Sequence, residues 1–218
     1  MYLYLNKERN LINNTEKLLL KENYEYAHQY IKYLNSRLKG KKKFERIAIQ
    51  TKINYTRYCI EEGLPFLLDK GTTKKQNTYR KFNVWRSSKG MKQIPKSHFV
   101  ESFKLLQKIL IKRYDSVYFI DASIKGDKNF FTAVEIKEVN KKEVIFDTSV
   151  TSNGKRINEL ESECAKLLIK KLRLMNESAS NNLVVLTDND TVYKEYLKKD
   201  VFQILWISRT YNLAHKGN

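Results

Sequence analysis

Three carboxylates in the second half of the chain stand beside apolar segments. Asp121 directly follows the apolar run 117–120, and Asp188 follows the run 183–186 after one threonine. Glu161 opens a segment whose apolar residues recur at helical spacing. Carboxylates that converge repel one another and stay ionised only when positive charge lies among them, which favours hard divalent cations with oxygen ligands. The pattern predicts a divalent-metal site.

Short strands and helices must position these carboxylates. Apolar runs rich in strand formers predict strands at 117–120, 130–136, 144–150, 183–186 and 201–207. Helical spacing predicts helices at 159–174 and 191–199. The order β-β-β-α-β-α-β predicts an α/β domain over residues 113–218, in which one helix suffices for the crossover between parallel strands. Three carboxylates can then converge at one end of a sheet.

The order of elements and the motifs on them resemble type 1 ribonuclease H, from Asp115 to His215. The family's first strand ends in Asp-Gly-Ser, its first helix opens with Asn-x-x-Glu, and its fourth strand ends in Thr-Asp. The matching segments here are Asp121-Ala122-Ser123, Asn158-Glu159-Leu160-Glu161 and Thr187-Asp188-Asn189. The small residues Cys164 and Ala165 match those that follow the family's Glu, which favours Glu161 over Glu159 or Glu163.

A fourth motif, Arg209-Thr-Tyr-Asn212-Leu-Ala214-His215, resembles the family's Arg-x-x-Asn followed by Ala-Asp or Ala-His, but it is one residue shorter. A single short helix also separates Asp188 from the last strand, where the family usually has more helical structure. The resemblance implies a ribonuclease H-like mixed five-stranded sheet with helices. It also implies two Mg²⁺ or Mn²⁺ ions held by Asp121, Glu161, Asp188 and His215 as catalytic residues.

The resemblance further implies a two-metal endonuclease that cleaves the RNA strand of RNA·DNA hybrids. Ser123, Asn158 and Asn189 match positions that lie beside the nucleic acid in the family. Two alternatives stay open. A RuvC-like nuclease acting on structured nucleic acid can also begin with Asp-x-Ser, and the altered last motif would suit a non-catalytic nucleic-acid-binding protein on the same scaffold.

The charge of the chain is concentrated in its first half. The sequence has 218 residues and a formal net charge of +18, of which residues 1–112 carry +16 and residues 113–218 carry +2. Glycines at 40 and 63 and the apolar spacing over 98–112 predict an all-α region. A basic helical domain before a nearly neutral one indicates a polyanion partner bound mainly by the first.

Cations interleaved with aromatic residues mark the predicted nucleic-acid surface of residues 1–112. The aromatics are Tyr79, Phe82 and Trp85, for which a place in the core is the competing interpretation. The predicted nucleic-acid-binding cations are Lys41, Lys42, Lys43, Lys74, Lys75, Arg80, Lys81, Arg86 and Lys89.

The remaining features predict a cytoplasmic protein that does not enter a membrane. Residues 1–20 contain charges and no unbroken apolar run of membrane length. Cys59 and Cys164 lie far apart within helical patterns, which predicts buried free thiols.

Overall fold

The computed structural model describes residues 14–68, 78–93, 96–152, 154–174, 182–199 and 202–215. The chain divides into two compact units, the first ending at Ile109 and the second beginning at Leu110. Within the described residues, no helix is long and apolar enough to cross a membrane.

Helices form the first unit, as predicted. Among the described residues they are α1 (Asn14–Ser36), α2 (Lys43–Glu61), α3 (Thr78–Ser88) and α4 (Lys96–Arg113), and α4 spans the boundary between the units. Gly63 follows α2 with a φ of 68°, a left-handed conformation that favours glycine. The buried amide of Asn23 joins two segments of this unit, because it donates to the Phe66 carbonyl at 2.8 Å and accepts from the Phe66 amide at 2.6 Å.

An aromatic cluster forms much of the core of this unit. Phe82 on α3 is fully buried and contacts Tyr30 edge-on and Tyr33 at a tilt, while its ring stacks on Trp85. Phe82 is therefore a core residue and cannot stack on a base. The side chain of Tyr79 lies outside the described residues.

The second unit is a five-stranded mixed sheet covered by helices, and the predicted fold class is confirmed. Its strands are β1 (Ser116–Lys125), β2 (Lys128–Glu138), β3 (Lys141–Thr151), β4 (Leu183–Thr187) and β5 (Gln203–Trp206). They lie in the order β3-β2-β1-β4-β5. The two hairpin pairs are antiparallel, whereas β4 is parallel to both β1 and β5.

Two helices, α5 (Ile157–Leu174) and α6 (Asp190–Tyr196), make the crossovers between parallel strands. The apolar stripe of α5 packs on the inner residues of β1 and β2, including Ile120 and Ala133. Both cysteines are buried and free, as predicted. The strand containing Asp121 is longer than predicted, since β1 stays paired with β2 as far as Lys125. Asp121 therefore lies within β1 and not after it.

Candidate metal centre

Asp121 and Asp188 are brought together by the parallel pairing of β1 with β4. Phe119 pairs with Leu186, and each aspartate lies two residues further along the chain from one member of this pair. Since side chains alternate along a strand, Asp121 shares the face of Phe119, and the end of β4 brings Asp188 to a similar level of the sheet. The central position of β1 in the sheet makes Asp121 buried, whereas Asp188, just past the end of β4, is half-buried.

Glu161 reaches this pair because α5 is fixed against the sheet one turn further along. The Cys164 Sγ lies 3.3 Å from the Asp121 carbonyl oxygen and 3.5 Å from that of Thr132, so its single hydrogen is shared between them and holds the helix at the level of Asp121. Glu161 is 4% exposed. Glu159 is exposed, and Glu163 forms an ion pair with Lys155. Of these three acids, Glu161 alone is buried at the level of Asp121.

The pKa of Glu161 shows that burial and negative charge outweigh the nearby positive charge. Burial, followed by the charges of Asp121 and Asp188, raises the pKa of Glu161 to about 8, against smaller opposing effects of the Ala122 backbone amide and Arg209. Its Oε2 atom is buried without a hydrogen-bond partner. Burial also raises the pKa of Asp121, and this effect is opposed first by its hydrogen bond with His215. A cation between these groups would relieve both effects.

Asn212 links the two strands and the C-terminal segment. Its side-chain amide donates to the Ile120 carbonyl at 2.8 Å and to Asp188 Oδ1 at 2.6 Å, while its oxygen accepts from the Ala214 amide at 3.1 Å. Asn212 is fully buried, so these bonds have no competing water. The sequence motif assigns no role to Asn212, and the structure makes it the residue that orients Asp188.

His215 lies beside Asp121, with 3.1 Å between Nδ1 and Asp121 Oδ2. On its other side, the Nε of Arg209 donates to Nε2 of the same ring at 3.4 Å. A neutral imidazole that accepts at Nε2 carries its hydrogen on Nδ1 and donates it to the carboxylate. His215 thus contacts Asp121 through a hydrogen bond, while Glu161 and Asp188 lie close enough for their charges to act on those of the site.

No protein-family model matches this chain, and no curated protein matches it. Similar solved structures include ribonucleases H and a reverse transcriptase. The ribonuclease H1 called LC11, in complex with an RNA/DNA hybrid, is 12% identical with a TM-score of 0.35. The match covers 45% of this chain and 88% of that one.

Two further structures resemble the chain at a similar level. Ribonuclease H1 from the halophilic archaeon Halobacterium salinarum is 13% identical with a TM-score of 0.32, covering 45% of this chain and 89% of its own. The protease–reverse transcriptase of prototype foamy virus is also 13% identical with a TM-score of 0.32, but only 17% of that chain is covered, against 44% of this one. At such identities a match concerns the fold and not the activity.

The three polar residues predicted to contact nucleic acid lie within three residues of a carboxylate in the sequence. Ser123 is half-buried on β1, two residues past Asp121. Asn189 Nδ2 donates to Asn158 Oδ1 at 3.0 Å, so these two side chains lie together. Asn189 Oδ1 also accepts the backbone amides of Thr191 and Val192, which makes it the N-cap of α6.

The predicted basic surface is retained only in part. Lys42, Lys43, Arg80 and Lys89 are exposed and Lys41 is half-buried, while Lys74, Lys75 and the side chain of Lys81 lie outside the described residues. The prediction for Arg86 is wrong. Its guanidinium is buried, where it bonds Gln29, donates to the Lys92 carbonyl at 2.8 Å and lies 4.9 Å from the centre of the Tyr26 ring. Arg86 therefore stabilises the packing of the first unit.

The donor set suits a hard divalent cation, although the side chains do not form a closed metal cage. Among the described residues, no group of three or more His, Cys, Asp or Glu side chains is arranged so that it could hold a metal ion. Asp121 bonds His215 and Asp188 bonds Asn212, while the Oε2 atom of Glu161 is left buried and unbonded. Buried polar atoms are normally bonded, so this oxygen is the atom that a cation would satisfy.

Proposed function

We propose that the second unit is a metal-dependent phosphodiester hydrolase, and that it cleaves the RNA strand of RNA·DNA hybrids. The single observation that carries the proposal is the position of Glu161. A buried carboxylate beside two others, with one oxygen unbonded and its pKa raised to about 8, stabilises no fold by itself. Bound cations would compensate the negative charge of this carboxylate and bond its free oxygen.

Each carboxylate has a distinct place in the proposed site. Asp121, which lies on the central strand next to both other acids, would be shared between two ions, while Glu161 and Asp188 would each complete one coordination sphere. Asn212 donates to one oxygen of Asp188, which would leave the other oxygen to hold an ion. Bound Mg²⁺ or Mn²⁺ would supply Lewis-acid stabilisation of the attacking and leaving oxygens of the phosphodiester.

The substrate proposal is supported by polar side chains around the carboxylates and by the charge of the chain. Asn158 and Asn189 form a pair of amides, the second of which directly follows Asp188 in sequence, and Ser123 adds a hydroxyl two residues past Asp121. Such groups can bond 2′-hydroxyls, which distinguish RNA from DNA. The +16 of residues 1–112 supports a polyanion held chiefly by the first unit.

A nuclease assay on the full chain tests the proposal directly. Hybrid, double-stranded RNA, double-stranded DNA and branched DNA are incubated with Mg²⁺, with Mn²⁺ and with chelator. We expect cleavage of the RNA strand of the hybrid only with metal. Cleavage of branched DNA alone would favour the RuvC-like alternative, and tight binding without cleavage of any substrate would favour the non-catalytic one.

Substitutions of His215 separate metal binding from hydrogen bonding. If His215 binds an ion, His215→Asp should raise the Mg²⁺-supported rate relative to the Mn²⁺-supported rate, because aspartate is the harder ligand. If it acts only through its bond to Asp121, His215→Ala should lower both rates equally, by roughly tenfold or more. The rates of both variants and the wild type are measured with each metal. Unchanged rates throughout would leave three carboxylates as the ligands.

A further inference from the structure

The first half of α2 is helical but buries no side chain. The buried residues of this helix are Ile53, Thr56 and Cys59, all in its second half. Residues 43–48 are all exposed, and none is buried as far as residue 52. A helix extends easily from a nucleus that is already fixed, so the packed second half holds the first half in helical form. The result is a preformed surface without a partner in the described residues.

Two parallel stripes run along this exposed half-helix. Phe44 and Ile47 are 84% and 54% exposed, and with Thr51 they follow the spacing i, i+3, i+7 of one helical face. The neighbouring stripe is polar and cationic, and it consists of Lys43, Arg46, Gln50, Asn54 and Arg57. Gln50 Nε2 donates to Asn54 Oδ1 at 3.0 Å along this second stripe. Apolar and cationic groups are thus presented side by side.

The charge of this segment is almost entirely positive. Residues 41–57 include six Lys or Arg side chains and the single acid Glu45. Glu45 accepts from the Lys42 backbone amide at 3.2 Å and from Lys41 Nζ at 3.4 Å, and these bonds lower its pKa. Among the described residues, neither Arg46 nor Arg57 forms an ion pair. Their charge remains available to a partner.

We propose that this face of α2 binds a strand of nucleic acid, with Arg46 and Arg57 on phosphates and with Phe44 and Ile47 against sugars or exposed bases. Cations beside an exposed ring suit phosphate and base together. A second copy of the chain would bring like charge to a segment that is already strongly positive. A membrane helix would need a wider apolar face than Phe44 and Ile47 provide before Thr51 interrupts it.

Binding is measured by fluorescence anisotropy on a labelled RNA·DNA hybrid and on single-stranded RNA in chelator, so that cleavage does not interfere. Arg46→Gln with Arg57→Gln is compared with Lys32→Gln with Lys108→Gln, which removes two exposed charges from α1 and α4. For the duplex, the slope of log affinity against log salt should fall in magnitude by about 1.8 in the first double variant, since each lost phosphate contact contributes about 0.9. An equal change in both double variants would overturn the proposal.

The apolar stripe is tested by Phe44→Ala, with Leu18→Ala as the control because Leu18 is 58% exposed on α1. Phe44→Ala should weaken binding of single-stranded RNA by about fivefold or more, the effect of losing one stacked base. The salt slope should not change. The proposal is contradicted if Phe44→Ala leaves the affinity for RNA unchanged, or if it weakens binding to anionic lipid vesicles and not to RNA. Circular dichroism verifies the fold of each variant.

This inference rests on the proposed function in one respect, which is that the partner is a nucleic acid. If the wild type cleaves nothing while the arginine variant still loses affinity selectively, the α2 surface stands and the proposed hydrolase fails. If cleavage occurs and both double variants bind alike, the hydrolase stands and the α2 surface fails.

Discussion

Asp188→Asn is expected to lower the cleavage rate by at least about a thousandfold, because it would remove one charge of the proposed metal site, worth several kcal/mol in the transition state. The fold should be unaffected. The asparagine oxygen can still accept from Asn212, as Asp188 Oδ1 does at 2.6 Å, and the backbone carbonyl still accepts from Trp206. Single-turnover rates and thermal unfolding of the metal-free protein measure the two effects.

Asp190→Asn is the matched control for this substitution. Asp190 lies two residues further along, is exposed and forms a surface ion pair with Lys194, which contributes about 0–1 kcal/mol. Its loss should leave cleavage at the wild-type rate. Full turnover in Asp188→Asn, or an equal loss in both variants, would remove Asp188 from the proposed metal site.

The sequence predicts most of the second unit because local signals and tertiary structure agree there. Apolar runs of strand length and the stripe from Leu160 to Leu172 produce the sheet and α5 as predicted. The predicted strand end before Asp121 is wrong, because a polar residue within a paired strand looks like the end of that strand. β2 continues to pair with β1 beyond Asp121, and pairing between strands is not visible in the periodicity of one of them.

The features that could not be predicted from the sequence depend on contacts between residues that are far apart in the chain. Asn212 bonds the Ile120 carbonyl, 92 residues away, and nothing in its local pattern indicates that partner. In the first unit, the sequence pattern does not indicate α3 as a separate helix, and it predicts a surface cation at Arg86. The burial of Arg86 follows from the aromatic cluster around Phe82 and from bonds to Gln29 and Lys92, which residue type alone cannot reveal.

Glu161 makes the stability of the metal-free protein depend on pH. Its pKa is raised from 4.5 to about 8 in the folded protein, so the folded state binds the proton more tightly than the unfolded state. The stabilisation from this proton is complete below about pH 4.5 and is lost as the pH rises through 8. A pKa difference of one between the folded and unfolded states corresponds to roughly 1.4 kcal/mol, so the free energy of unfolding should fall by a few kcal/mol over that range.

Glu161→Gln is expected to remove most of this pH dependence, because glutamine resembles the protonated acid and never ionises. Urea unfolding between pH 5 and about 9 in chelator measures the difference between variant and wild type. Glu163→Gln serves as the control, since Glu163 is half-buried and pairs with Lys155. Adding Mg²⁺ or Mn²⁺ at high pH should restore the stability of the wild type but much less that of Glu161→Gln, because a cation replaces the lost proton at the same oxygen. Equal pH profiles for wild type and Glu161→Gln would mean that Glu161 ionises freely, and the case for a cation at its unbonded oxygen would then be lost.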